Sequence, residues 1–146
     1  MELSELSAVE RIPPQNLEAE MAVLGAMLLE EDALVAATEV LDEATFYKDA
    51  HRKIFAALLS LYKHHVAVDL VTVTEELKKH NLLEDVGGAS YLAMLTGVVP
   101  TAANVEHYCR IVKEKSILRS LIKASTVTAT ECYEETVSAD VLLDKA

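Results

Sequence analysis

Arg110-Ile111-Val112-Lys113-Glu114-Lys115-Ser116-Ile117-Leu118-Arg119-Ser120-Leu121-Ile122-Lys123 is the stretch on which the fold turns. It lies in a run without Gly or Pro that extends from Thr101 to Ala146. A helix starting at Thr101 or Asn104 and reaching Glu134 would be roughly 45 Å long at about 1.5 Å per residue. Ile111, Leu118, Ile122 and Ala129 form one apolar stripe along it, and Ile117, Leu121 and Ala124 form a neighbouring one. A helix that is apolar on more than one side needs two partners. One expected partner is a second helix capped by Ser138 and beginning Ala139-Asp140-Val141-Leu142-Leu143, folded back as an αα-hairpin. The apolar pattern is still under way at Ala146, so the expected hairpin is cut before its end.

Outward from this stretch the composition is that of helices throughout. Of the 146 residues 51% are hydrophobic, but only five Tyr, two Phe and no Trp are present, so Leu, Val, Ala, Ile and Met must fill the core. Those are mostly strong helix formers. Four glycines and three prolines are too few for the tight turns of an all-β fold. A chain of this length buries roughly two thirds of its extended surface in one core.

The expected organisation is an all-α one: a mobile arm over 1–15, a compact multi-helix globular head over 16–100, and the long-helix αα-hairpin over 101–146. Pro13-Pro14 stops any helix of the arm. Asn16 caps the first helix, which ends near Leu29, with Glu18 and Glu20 near its positive end and Leu17, Met21, Leu24 and Leu28 as its apolar stripe. Asp32 is the expected cap of a second helix carrying Leu34, Ala37 and Leu41, and Asp49 of a third carrying Ile54, Phe55, Leu58, Leu61 and Tyr62. The β-branched segment Val66–Val73 competes as a strand. A helix is favoured, because Thr72 and Glu75 have capping-box spacing and Lys78-Lys79-His80 place cations at the negative end. Gly87-Gly88 permits a turn, Tyr91, Leu92 and Leu95 resume helical spacing, and Val99-Pro100 closes the head.

Charge and motif content exclude several classes of function. The net charge of −11 opposes sequence-independent binding of phosphate backbones and acidic membranes. The acidic start Met1-Glu2-Leu3-Ser4-Glu5 lacks the basic segment of a signal peptide, so a cytoplasmic protein is expected. Cys109 and Cys132 share the long helix about 34 Å apart, too far for a disulfide, and are expected as two buried or half-buried thiols. Glycines at 25, 87, 88 and 97 allow no phosphate-cradling loop. No histidine pair has i, i+4 spacing and no CxxC exists, so metal ligation is not expected, and the five imidazoles are read as solvated or helix-end groups. No nucleophile motif appears either, so neither a catalytic site nor a cofactor is expected in this chain. Lys115, Arg119 and Lys123 stack at i, i+4 as a possible basic contact face for an acidic partner or DNA. The alternative is a solvated helix flank with Glu106–Arg110 and Arg110–Glu114 pairs. No aromatic residues interleave these cations as base stacking would require.

Arg11-Ile12-Pro13-Pro14-Gln15-Asn16-Leu17-Glu18-Ala19-Glu20 with Ala22-Val23-Leu24-Gly25 resembles the opening of the DnaB family of bacterial replicative helicases. Phe46-Tyr47, His51-Arg52-Lys53-Ile54-Phe55, Val68-Asp69-Leu70-Val71-Thr72-Val73, Gly87-Gly88-Ala89-Ser90-Tyr91-Leu92, Pro100-Thr101-Ala102-Ala103-Asn104-Val105-Glu106 and Glu114-Lys115-Ser116-Ile117-Leu118-Arg119 follow in the family's order. The chain departs from the pattern at Lys63-His64-His65-Val66-Ala67-Val68, where the family usually has a Gly and often a Pro before the Val-Asp-Leu segment, and in the hydroxyl-rich stretch after Lys123.

The resemblance implies a non-catalytic amino-terminal collar domain. In that family, hairpins of neighbouring subunits pair around a hexameric ring, and the collar contacts the primase carboxy-terminal domain and, in some bacteria, a helicase loader. The RecA-like motor that uses ATP and Mg would lie downstream. For self-association the residues expected to serve are Ile111, Leu118, Leu121 and Ile122, whose other reading is burial in the chain's own hairpin. For primase contact they are Glu18 and Tyr91, although Tyr91 can equally close the core. Two other functions compete: a module guiding nucleic acid with Lys115, Arg119 and Lys123, and the helical helicase-interaction domain of a primase.

Overall fold

The computed structural model describes residues 11–98 and 104–146. Among them are seven α-helices and no strand: α1 Leu17–Leu29, α2 Glu31–Val40, α3 Asp49–Lys63, α4 Leu70–Lys79, α5 Gly88–Val98, α6 Val105–Glu134 and α7 Ala139–Lys145. Short 3-10 turns at Glu43–Thr45 and Glu84–Val86 precede α3 and α5. Gln15–Ser116 form one compact unit, and residues 11–14 with Ile117–Ala146 form a second.

In the first unit α1 is the central element, with α2, α3 and α5 packed against it. That position changes what its sequence means. The expected single stripe is not what the helix buries: Leu17 is exposed and Met21 half-buried, while Ala22, Val23, Ala26 and Met27 are buried beside Leu24 and Leu28. A helix surrounded by neighbours must be apolar all round, and the small residues Ala22, Gly25 and Ala26 let those neighbours approach. Ile54, Phe55, Leu58 and Leu61 of α3 are buried and Tyr62 is half-buried, as their spacing predicts. Phe55 meets Phe46 at 5.1 Å between ring centroids. Val73 and Leu77 of α4, Leu92 and Leu95 of α5, and Val105, Cys109 and Val112 from the start of α6 complete this core.

The caps correct the expected ones in detail. Asn16 caps α1, its side-chain oxygen accepting from the Ala19 N–H at 3.0 Å. Glu30 and Lys48, not Asp32 and Asp49, hold the N-cap positions of α2 and α3. Asp32 and Asp49 instead lie in the first turns, where a carboxylate meets the positive helix end without accepting a capping bond. Val66–Val73 forms no strand: α4 starts within it, and its capping box is Asp69–Thr72, with reciprocal bonds of 2.9 Å, rather than Thr72–Glu75. Val99-Pro100 and Thr101 lie outside the described residues.

In the loop after α3, His65 takes the left-handed conformation at φ 59°. Its N–H donates to the Tyr62 carbonyl at 3.1 Å and the Val66 N–H to that of Leu61 at 3.0 Å, a Schellman stop for α3. Asn81, at φ 58°, ends α4 with the same pair of bonds, to Lys78 and Leu77.

In the second unit α6 runs to Glu134 and α7 follows a turn at Glu135, the hairpin order expected. The Ser138 hydroxyl accepts from the Val141 N–H at 3.4 Å. Leu142 is the buried residue of α7, and Lys145 pairs with Glu131 at 2.9 Å.

Candidate docking and assembly surfaces

Within the head, three elements converge on a buried polar chain. Glu20 of α1 is 1% exposed and His51 of α3 is 0% exposed. His51 Nδ1 lies 2.7 Å from Glu20 Oε1, and His51 Nε2 lies 2.7 Å from the Tyr91 hydroxyl on α5. The other Glu20 oxygen accepts from the Tyr47 N–H at 2.7 Å, and Oε1 also accepts from the Lys48 N–H at 3.4 Å. Arg52 secures the same segment from the other side: its Nη1 donates to the carbonyls of Phe46 and Tyr47 at 3.1 and 2.8 Å. Among the described residues no buried side-chain nitrogen or oxygen lacks a partner.

Tyr91 is where this chain reaches the surface. The ring is half-buried, stacks on His51 at 15° between planes, and has the Lys48 ammonium 5.0 Å from its centroid. Burial first, and the Glu20 charge second, push the Tyr91 phenol above its ordinary pKa. Gly87 fixes the ring's place from behind: at φ 106° it adopts a conformation costly for other residues, and a Cβ there would stand 2.9 Å from the Tyr91 Cβ. The two readings of Tyr91, surface contact and core closure, thus meet in one half-buried side chain.

Sequence reading missed Glu20 and His51. Glu20 does lie in the first turn at the helix's positive end, but it is buried, and His51 is neither solvated nor at a helix C-terminus. Spacing carried the signal: Glu20 shares a stripe with Leu24 and Leu28, and His51 one with Ile54, Phe55 and Leu58. His64 and His80 do occupy helix C-caps. Glu18 is exposed in the first turn of α1.

On α6, Ile111 packs half-buried against the head core, whereas Leu118, Leu121 and Ile122 are 39%, 58% and 53% exposed. Of the basic trio, Lys115 is half-buried and Lys123 exposed, while Arg119 donates through Nη1 to the Pro14 carbonyl at 2.8 Å. Neither the Glu106–Arg110 nor the Arg110–Glu114 pair forms. Among the described residues there is no group of three His, Cys, Asp or Glu fit to hold a metal ion, and no helix is long and apolar enough to cross a membrane. Both cysteines are free; Cys109 is buried, but Cys132 is exposed rather than buried or half-buried, because the hairpin leaves most of α6 beyond Ser116 uncovered.

Fold and surfaces together define an all-helical module whose head is closed on itself and whose hairpin is not. A family model described as the DnaB-like helicase N-terminal domain matches residues 12–114. The chain belongs to that family. It is 54% identical over 144 residues to the replicative DNA helicase DnaB of Geobacillus stearothermophilus, covering 99% of this chain and 32% of the relative. It is 51% identical to the replicative DNA helicase DnaC of Bacillus subtilis, over 94% of this chain and 30% of the relative. The chain therefore spans about a third of the length of these relatives. The crystal structure of the N-terminal domain of DnaB helicase from Mycobacterium tuberculosis superposes with a TM-score of 0.84 at 42% identity, covering 92% of this chain and 94% of that one. A DnaB-like replicative helicase whose structure was described with its interactions with primase has a TM-score of 0.70 at 25% identity, over 80% of this chain and 27% of that one.

Proposed function

We propose that this chain is the collar domain of a replicative DNA helicase: it does no chemistry, joins subunits of a hexameric ring and docks primase during DNA replication in the cytoplasm. Unwinding, with its ATP and Mg, belongs to a motor domain beyond this chain. The observation that carries the reading is the exposed apolar row Leu118, Leu121 and Ile122 on α6, since such a row in water calls for another surface. Covering the exposed part of each, 39–58% of its surface, with a second copy would contribute about half of the 1.5–3 kcal/mol that burying a fully exposed side chain gives. Glu18 and the half-buried Tyr91 are the proposed primase contacts, and a helicase loader is a further partner of the same collar. Relatives that are helicases rather than primases support this reading over a primase domain, and the Arg119 bond to Pro14 works against a free DNA-guiding face.

Sedimentation of wild type, Leu118→Asp and Ile122→Asp, beside calorimetric titration with the primase carboxy-terminal domain and with single-stranded DNA at two salt concentrations, tests it. Lower oligomer mass in the variants and saturable heat with primase alone are expected. Unaltered mass and partner binding in both variants would sink the assembly role, and salt-sensitive heat with DNA would favour the DNA-guiding module instead.

A further inference from the structure

Hydrogen-bond polarity along the buried chain specifies what Tyr91 can offer outward. Both Glu20 oxygens already act as acceptors, Oε2 from the Tyr47 N–H and Oε1 from the Lys48 N–H. The hydrogen between Glu20 Oε1 and His51 Nδ1 therefore belongs to His51. A neutral imidazole that donates through Nδ1 must accept through Nε2. At 2.7 Å the group facing Nε2 is the Tyr91 hydroxyl, so the phenol gives its only hydrogen inward. The same polarity governs a serine hydroxyl facing a carboxylate-bound histidine in hydrolases, where the buried carboxylate fixes the tautomer.

We infer that Glu20 and His51 are positioning residues that make Tyr91 a fixed hydrogen-bond acceptor, so that the docking element of its partner is a hydrogen-bond donor. The inference rests on the reading of Tyr91 as a primase contact and says what that contact must supply. One face of the ring already meets the Lys48 ammonium, and Gly87 supports its Cβ from behind, so the phenol oxygen is the polar group that Tyr91 has left to offer. Its lone pairs can accept, but the oxygen has no hydrogen left to donate.

Two measurements test this. Nitrogen-15 correlation spectra of the histidine side chains at neutral pH should show His51 with one ring proton, on Nδ1. A proton on Nε2, alone or as the second proton of an imidazolium, overturns the inference, because Tyr91 would then accept from His51 and donate outward. Calorimetric titration with the primase carboxy-terminal domain is then run on wild type, Tyr91→Phe, His51→Gln and the double variant. Tyr91→Phe keeps the ring and removes the acceptor, and should weaken binding about three- to tenfold. The effect of His51→Gln on affinity should vanish in the Tyr91→Phe background, whereas a merely structural role would leave the two effects additive. If His51→Gln does not fold, the spectra and the Tyr91→Phe titration decide by themselves. Binding by Tyr91→Phe as tight as wild type overturns the inference and leaves primase docking standing; no heat with the wild-type chain removes both.

Discussion

Leu58 and Leu121 are the same residue at mid-helix positions, yet Leu58 has no exposed surface and Leu121 keeps 58% of its own. The head satisfies its apolar surface with its own elements, and it even encloses a carboxylate and an imidazole because each has partners in place. The hairpin arm of α6 does not: Ile117, Leu118, Leu121, Ile122 and Val127 all remain exposed. Apolar content alone does not locate a core. What distinguishes the two regions is whether neighbours exist within the same chain to cover it.

The sharpest way to break that contrast is by truncation. Phe55→Ala in the head removes a ring with no exposed surface and should cost about 3–5 kcal/mol by urea unfolding, while Leu121→Ala should change the stability of the monomeric chain by less than about 0.5 kcal/mol. Equal losses would mean that the hairpin is as closed as the head. Next in size is Gly87→Ala, which meets both a left-handed backbone and the Tyr91 Cβ; a loss of about 1–2 kcal/mol is expected, with a shift of the Tyr91 ring resonances. In the opposite direction, His65→Gly should raise head stability by up to about 1 kcal/mol, since it removes a Cβ from the left-handed position of the Schellman stop. Thiol labelling reports the contrast with no substitution at all. Burial first and Glu106 second push the Cys109 thiol up to about 11, so at pH 8 a maleimide should label Cys132 quickly and Cys109 only after denaturant is added.

Helix order and the hairpin could be read from the sequence because they depend on local spacing and on where Gly and Pro fall. The interior of α3 followed from Ile54, Phe55, Leu58 and Leu61 alone. Caps were less legible, because a residue such as Asp49 looks the same one position inside a helix as at its start; Lys48 and Glu30 hold the cap positions without the side-chain oxygen bond that marks a cap in sequence. The Glu20–His51–Tyr91 chain was the least legible part of the site. Its members lie 31 and 40 residues apart and come together only through packing of α1, α3 and α5. Glu18 and Glu20, two residues apart, look alike in the sequence, and only the crowding around α1 makes one a surface charge and the other a core group.

The Lys145–Glu131 pair gives the second arm of the hairpin a property the head lacks. Helix α7 has seven residues, one buried leucine and this solvated ion pair to hold it. An exposed pair of this kind contributes roughly 0–1 kcal/mol and is screened by salt. The arm is thus a latch with a low threshold: amide exchange across Ala139–Lys145 should quicken as ionic strength rises while the amides of α1 and α3 keep their protection. A second surface that covered Val141 and Leu143, both exposed, would slow that exchange.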